Sequence, residues 1–340
     1  MNRIAVVILN WNGKSFLEKF IPLVLKHSDV PGTEVIVADN ASEDDSLSFL
    51  REHFPGVKII ELDKNHGFAG GYNLALDQIK AEYYVLLNSD IEVTPGWLQP
   101  LVNYLDNNHD IAAAMPKIKP FHQKKSFEYA GAAGGFIDKY GFTFCRGRIF
   151  NEIETDVGQY DTISDVFWAS GACLFIRADV YHQMGGLDNQ FFAHMEEIDL
   201  CWRIKNHGYR IACIPGSVVY HVGGGALPYQ NPRKTFLNYR NNLLLLYKNV
   251  EKERLFRLLT LRIGLDLLSV FRFLLSGDFK NSRAIFKAHA AFRKLRPGYR
   301  KLRKQEGTIN GNSKHPEIFN GSIVWRYFLK NQKKFSDLYK

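Results

Sequence analysis

Three groups of polar residues in this chain lie where apolar strand patterns end. Asn10-Trp11-Asn12 follows the run Ile4–Leu9, Asp39-Asn40 follows Glu34–Ala38, and Asn88-Ser89-Asp90 follows Tyr83–Leu87. At the carboxyl end of a strand, one carboxylate can accept from a ribose hydroxyl or a base N–H, and another can hold a hard divalent cation on a diphosphate. Taken singly, Asp39 and Asp90 read equally well as caps of the following turns. Together, on consecutive strand ends, they favour a nucleotide site. The segment Asn65–Asn73 adds glycines, Gly67, Gly70 and Gly71, at a helix start, where backbone N–H groups approach an anion. The paired carboxylates Glu196-Glu197 open a helix pattern. Like charge and burial raise a carboxyl pKa and make a general base, whereas on a solvated helix start they merely complement the dipole. His221 precedes Gly223-Gly224-Gly225 and is a plausible partner for a carboxylate on Mn2+.

The elements that must carry these residues alternate. Ser15–Lys26, a start near Ser42–Asp45, Gly67 to about Lys80, and a start at Thr94-Pro95 have helical signals between the strands. Val57–Leu62 and Ile111–Met115 complete the first strand set, and the alternation predicts an α/β sheet with helices on its faces. Residues 117–165 read as hairpins and loops. A regular apolar pattern returns over Val166–Arg177, followed by a helix from Ala178, a helix over Glu196–Asn206, strands over Tyr209–Ile214 and Val218–His221, and helix from Phe236 onward. The order does not fit the dinucleotide fingerprint, since the first turn is Trp11-Asn12-Gly13-Lys14-Ser15, and no P-loop pattern is present.

Composition sets outer bounds. With 46% hydrophobic and 23% charged residues in 340, the chain is ordinary for a globular protein. It has no uncharged apolar run of about 18 residues, and its N-terminal run is short for a signal peptide, so a cytoplasmic location is expected. Cys145, Cys173, Cys201 and Cys213 show neither zinc nor disulfide spacing. Charge is uneven. From Lys248 to Lys340 there are 22 Lys and Arg against 7 Asp and Glu, while residues 1–247 carry a deficit of six. Residues 251–275 are rich in Leu and Phe, and on a helical wheel Arg254, Arg262 and Arg272 fall close together. Such a helix lies on an anionic membrane surface, or packs on the catalytic part with a solvated basic face. No nucleic-acid recognition fold is evident, and nucleic acid is not an expected partner.

The ordered set VVILNWNG, VADNASEDDS, NHGFAGGYN, LLNSDIEV, SGACLFIR, FFAHMEEIDLCWR and VVYHVGGG resembles family-2 glycosyltransferases, in particular bacterial rhamnosyltransferase-like enzymes of surface polysaccharide. The resemblance spans roughly residues 3–247. It implies a GT-A fold, a Rossmann-like mixed sheet flanked by helices, with residues 1–247 catalytic (nucleotide half to about 115, acceptor half 116–247) and 248–340 a basic amphipathic helical extension. It also implies a dTDP- or UDP-sugar donor, a glycan or lipid-linked acceptor, Mn2+ or Mg2+, and inversion at the anomeric carbon. Carried over, Asp39 resembles the base-binding aspartate, with Asn10, Asn12, Asn65, Gly67, Gly71, Asn73 and Asn88 lining the donor. Asp90 resembles the last acid of the DxD metal motif, whose first position is Asn88 here, and His221 the histidine that completes the metal shell. Glu197 aligns with the catalytic base, with Glu196 beside it as the other candidate. Trp168 and Gly171, around Ser170-Gly171-Ala172, resemble the acceptor wall. A sugar nucleotidyltransferase would need a glycine-rich basic loop after the first strand, which Asn10–Ser15 does not supply. A noncatalytic sugar-nucleotide or polysaccharide-binding protein would have no use for the Glu196-Glu197 pair.

Overall fold

The computed structural model describes residues 2–223, 231–305 and 315–338. Gly224 and Gly225 of the triple-glycine run lie outside them. The chain begins with β1 (Asn2–Asn10), α1 (Lys14–His27), β2 (Thr33–Asp39), α2 (Ser46–His53), β3 (Lys58–Glu61), α3 (Gly67–Leu76) and β4 (Ala81–Asn88). These strands are parallel in the order β3-β2-β1-β4. Ile4, Ala5, Val6 and Val7 of β1 have no exposed surface, as a β-branched run covered on both faces requires. The chain reaches β4 by crossing over β1, so a crevice opens at the carboxyl ends of β1 and β4, where open α/β sheets bind ligands.

Next come β5 (Ile91–Val93), α4 (Leu98–Asn107) and β6 (Ile111–Pro120). Residues predicted as hairpins form β7 (Gly135–Asp138), β8 (Thr143–Cys145), β9 (Arg148–Ile149) and β10 (Glu152–Ile153). The large sheet resumes with β11 (Ser164–Asp165) and β12 (Cys173–Arg177), followed by α5 (Ala178–Gln183), α6 (Glu196–Asn206) and β13 (Arg210–His221). β12 runs antiparallel to β4 and β6, so the sheet is mixed. The remainder is α7 (Pro232–Asn249), α8 (Lys252–Leu275), α9 (Phe279–Gln305), β14 (Ile318–Phe319), α10 (Ile323–Lys330) and α11 (Phe335–Leu338). β14 returns to pair with β7 and completes the second sheet.

The structure departs from the sequence pattern in several places. The Ser42–Asp45 run is a turn before α2, and the Asp44 carboxylate accepts from the Lys14 N–H at 3.0 Å, which ties it to the start of α1. Thr94 does not start a helix. Its hydroxyl donates to the Val218 carbonyl at 2.7 Å, and α4 begins at Leu98. α3 ends at Leu76, short of Lys80. The Val166–Arg177 pattern is strand only from Cys173, because the Ser170 hydroxyl turns to the Ala130 carbonyl at 2.9 Å. The two short strands before His221 are one strand, interrupted between Ile214 and Val218.

The basic extension packs on the rest of the chain. Lys248 Nζ lies 2.9 Å from both Asp188 and Asp199, and the Tyr299 hydroxyl of α9 donates to Asp188 at 2.9 Å. Arg262 of α8 turns inward, 2.9 Å from the buried Asp266 and over the Phe142 ring, so it does not share the outer face of Arg254 and Arg272. Among the described residues no helix is long and apolar enough to cross a membrane.

Candidate active site

The register of the central strands sets one side of the site. Asn10 pairs with Asp39 across β1 and β2, and Leu9 with Asn88 across β1 and β4. Burial of Asp39 and Asn10 is offset by mutual bonding. Asn10 Nδ2 donates to Asp39 Oδ1 at 2.9 Å, and Asp39 also accepts from the Ser42 hydroxyl at 2.7 Å and the Ser42 N–H at 2.9 Å. Asn12 adopts a left-handed φ of 52°, and its side chain accepts from the Glu43 N–H at 2.7 Å. Asn10 Oδ1 remains buried without a partner among the described residues.

The glycine turn is held on the same strand ends. Asn40 Nδ2 donates to Asn65 Oδ1 and to the Gly67 carbonyl at 3.1 and 3.0 Å. Gly67 has a φ of 73°, and a Cβ there would stand 2.6 Å from the Phe192 ring, so both conformation and space require glycine. A Cβ at Gly71 would press on Leu9 at 2.8 Å. Asn73 faces the other way. Its side chain bonds Leu187, Asn189 and Tyr181, which fastens α3 to the loop before α6.

At the β4 end, the Asn88 N–H donates to the Ala172 carbonyl at 3.0 Å. Asp90 Oδ1 lies 3.2 Å from His221 Nε2, and Asp90 Oδ2 accepts from the Gly223 N–H at 3.2 Å. A residue the sequence reading missed, Glu128, stands 3.3 Å from His221 Nδ1. It lies in the loop after β6, where no motif marked it. Burial disfavours the imidazolium, but Asp90 and Glu128 overcome that and push the His221 pKa up to about 10. Burial likewise works to raise the Asp90 pKa, and contact with His221 holds it below the usual carboxylate value. Among the described residues no cluster of three or more His, Cys, Asp or Glu side chains is placed to hold a metal. Asp90 and His221 bond each other here, so a divalent ion would have to replace the proton they share before the carboxylate oxygen and the imidazole nitrogen could both ligate it.

The other side of the site is the loop into α6. Phe192, His194 and Met195 all have left-handed φ values, 64°, 70° and 71°, which side chains with a Cβ adopt at a cost. Asn241 of α7, fully buried, holds that conformation. Its Nδ2 lies 3.0, 2.8 and 2.7 Å from the carbonyls of Phe191, Ala193 and His194. Arg240 donates to the carbonyls of Gln190 and Phe191, each at 2.8 Å. The N–H of Phe68 in α3 donates to the Phe192 carbonyl at 2.7 Å, joining this loop to the glycine turn. The sequence reading missed Arg240 and Asn241, whose only signal is a polar Arg-Asn-Asn step inside a leucine-rich helix.

This clamped loop delivers Glu196 and Glu197. Glu196 is 4% exposed, and neither its Oε2 nor that of Glu197 has a hydrogen-bond partner among the described residues. Burial pushes the Glu197 pKa up to about 7, while burial and the neighbouring Glu197 charge push Glu196 well above the carboxylate range. Asp199 differs. It is bonded to Lys248, Arg203 and Asn249 at 2.8–2.9 Å and its pKa is lowered despite burial. A Cβ at Gly171 would stand 3.6 Å from Glu197 Cβ and 3.2 Å from the Phe68 ring, so Gly171 separates the glutamate from the glycine turn. Trp168 is buried, its indole N–H donating to the Phe136 carbonyl at 2.9 Å. The chain of contacts Asn88–Ala172, Gly171–Glu197 and Phe68–Phe192 thus brings the strand ends and the paired glutamates together.

The chain is similar to known glycosyltransferases. The family described as glycosyl transferase family 2 matches residues 5–165. An N-acetylglucosaminyl-diphospho-decaprenol L-rhamnosyltransferase of Mycobacterium tuberculosis is 23% identical over 241 residues, 64% of this chain and 75% of that protein. The structure of GalNAc-T7 with UDP, GalNAc and Mn2+ aligns with a TM-score of 0.53 at 18% identity, over 64% of this chain and only 43% of that one. The Pyrobaculum calidifontis mannosyltransferase PcManGT, in complex with GDP-Man and Mn2+, aligns with a TM-score of 0.52 at 16% identity, over 89% of this chain and 79% of that one. Residues 5–165 thus match the family-2 glycosyltransferase model, the chain has the fold of GT-A glycosyltransferases, and it resembles the rhamnosyltransferases.

Proposed function

We propose that this chain transfers a hexose, of which rhamnose is the first candidate, from a dTDP- or UDP-sugar to an acceptor hydroxyl in a single displacement that inverts the anomeric carbon. The observation that carries the reading is the Glu196-Glu197 pair, whose buried Oε2 atoms lack partners among the described residues, next to Gly171 and the glycine turn. Glu197 takes the proton of the acceptor hydroxyl as that oxygen attacks. With its pKa near 7 it is ionised in a useful fraction at neutral pH, whereas burial and the Glu197 charge push Glu196 toward its protonated form. Asp39 and Asn10 meet the nucleoside, and the Asn65–Gly71 turn lines the sugar and diphosphate. Asp90 and His221 hold a divalent ion, Mn2+ or Mg2+, which when bound offsets charge developing on the departing diphosphate. A single displacement needs one base and no covalent intermediate.

Residues 1–247 are proposed as the catalytic part and 248–340 as an extension fastened to it, working at the cytoplasmic face of a membrane in surface-polysaccharide assembly. The M. tuberculosis relative, named for a diphospho-decaprenol substrate, supports a lipid-diphosphate-linked acceptor. Two measurements test the site. Glu197→Gln is expected to bind donor with unchanged affinity and lose transfer, and retained turnover moves the base elsewhere. Asp90→Ala is expected to abolish the Mn2+-dependent part of donor binding in calorimetry. An undiminished Mn2+ effect removes Asp90 from the metal.

A further inference from the structure

We propose that the outer face of α8 is a membrane-docking surface and that its partner is an anionic lipid bilayer, a reading that rests on the lipid-linked acceptor above and assigns the face that meets the lipid. Positions 257, 261, 264, 268, 271 and 275 recur at helical spacing along α8 and read Arg-Leu-Gly-Leu-Phe-Leu. Leu261, Leu268, Phe271 and Leu275 are 43%, 64%, 60% and 74% exposed. The opposite side of the helix is already occupied, since Leu258, Asp266 and Val270 are buried against the protein. An ordinary surface helix is polar on its solvent side, whereas this one is apolar on both. From Leu261 to Leu275 the apolar stripe runs about 21 Å. No described helix can cross a bilayer, so a stripe of this length lies in the plane of the interface.

Charge decides the occupant. Arg254, Arg257 and Arg272 are exposed on α8, and Lys280, Arg283 and Lys287 are exposed at the start of α9. The chain from Lys248 onward carries fifteen more cationic than anionic side chains. Anionic head groups complement such a surface, whereas a second copy would bring like charge against like charge. α10 offers a second contact. Trp325, Phe328 and Leu329 are 56%, 60% and 64% exposed. The Ile323 N–H that starts α10 donates to Asp138, and Arg254 of α8 donates to the neighbouring Lys139 carbonyl. Both helices thus abut the same turn.

Flotation of the full chain with phosphatidylglycerol-rich and with pure phosphatidylcholine vesicles tests this surface. The protein is expected to float with the anionic vesicles. The bound fraction is expected to fall about tenfold or more on pure phosphatidylcholine and in Leu268→Glu/Phe271→Glu, with a smaller loss in Arg257→Glu/Arg272→Glu. All four side chains are exposed, and unchanged thermal melting verifies that the variants fold. Equal flotation of the variants and the parent chain overturns the proposal, as does absence of flotation with either vesicle. A dimer seen by light scattering and broken by Leu268→Glu/Phe271→Glu, without vesicle binding, overturns it in favour of a second copy. Transfer to a short, soluble acceptor is expected to be unchanged in these variants. Its presence or absence in the parent chain tests the reaction separately from the surface.

Discussion

The two walls of the site bury polar groups in opposite ways. On the donor wall, Asp39 is ringed by Asn10 and by both the hydroxyl and the N–H of Ser42, each within 2.9 Å. On the glutamate wall, the Oε2 atoms of Glu196 and Glu197 are buried and bare among the described residues, at the end of a loop whose backbone is left-handed at three side-chain-bearing residues. A satisfied carboxylate is fixed in place by its partners, which suits recognition. A bare one has its pKa raised and its proton affinity tuned toward neutrality, which suits proton transfer. The fold supplies the difference. The donor wall consists of adjacent strand ends that bond one another, whereas the glutamates project from an element that has to be held from outside by α7.

The largest expected effect breaks that comparison at its sharpest point. If the bare carboxylate is the base, Glu197→Gln lowers kcat by about 10²- to 10⁴-fold while donor affinity stays, because general-base catalysis contributes on that order. The parent enzyme is then expected to lose kcat as pH falls through about 7, the value to which burial pushes Glu197. Only the ionised carboxylate accepts a proton. An acid limb near the ordinary carboxylate pKa would mean that the glutamate wall is solvated in the working enzyme.

A smaller effect probes the clamp. Asn241→Asp keeps the side-chain shape but replaces the amide that donates toward three carbonyls with a group that repels them. The stability loss is expected to be on the order of 3 kcal/mol, the scale of leaving buried polar groups unpaired. If the clamp positions the glutamates, kcat falls and the donor KM stays within about twofold, since the proposed donor contacts are on the other wall. A parallel rise in donor KM would show that α7 supports both walls, and the distinction between them would fail.

These contrasts were unequally legible in the sequence. Asp39, Asp90 and the paired glutamates follow apolar runs whose length and branching mark strands and helices, and strand ends gather side chains wherever the fold is α/β. Glu128, Arg240 and Asn241 have no such mark. Glu128 sits among hairpins whose register is set by contacts far along the chain, and Asn241 points inward from a helix whose pattern shows only that it is buried. Arg262 shows the converse. Spacing placed it with Arg254 and Arg272 on one face, but a buried acid one turn away, Asp266, draws it inward. The outward apolar stripe of α8 was hidden for the same reason, because a leucine-rich helix does not state which of its sides is covered.

The gentlest test concerns stability. Glu196 is 4% exposed, and burial and the adjacent Glu197 raise its folded pKa well above that of an ordinary glutamate. Between the unfolded and the folded pKa the native state binds the proton more tightly than the unfolded chain does, so stability falls as pH rises through that window. Glu196→Gln removes this loss. It is expected to stabilise the protein at pH 7, read as a higher Tm, and to have its smallest effect at about pH 4, where both states are largely protonated. A variant less stable at pH 7 than at pH 4, relative to the parent, would mean that Glu196 is ionised and paired in the folded enzyme. The two walls would then bury their carboxylates alike.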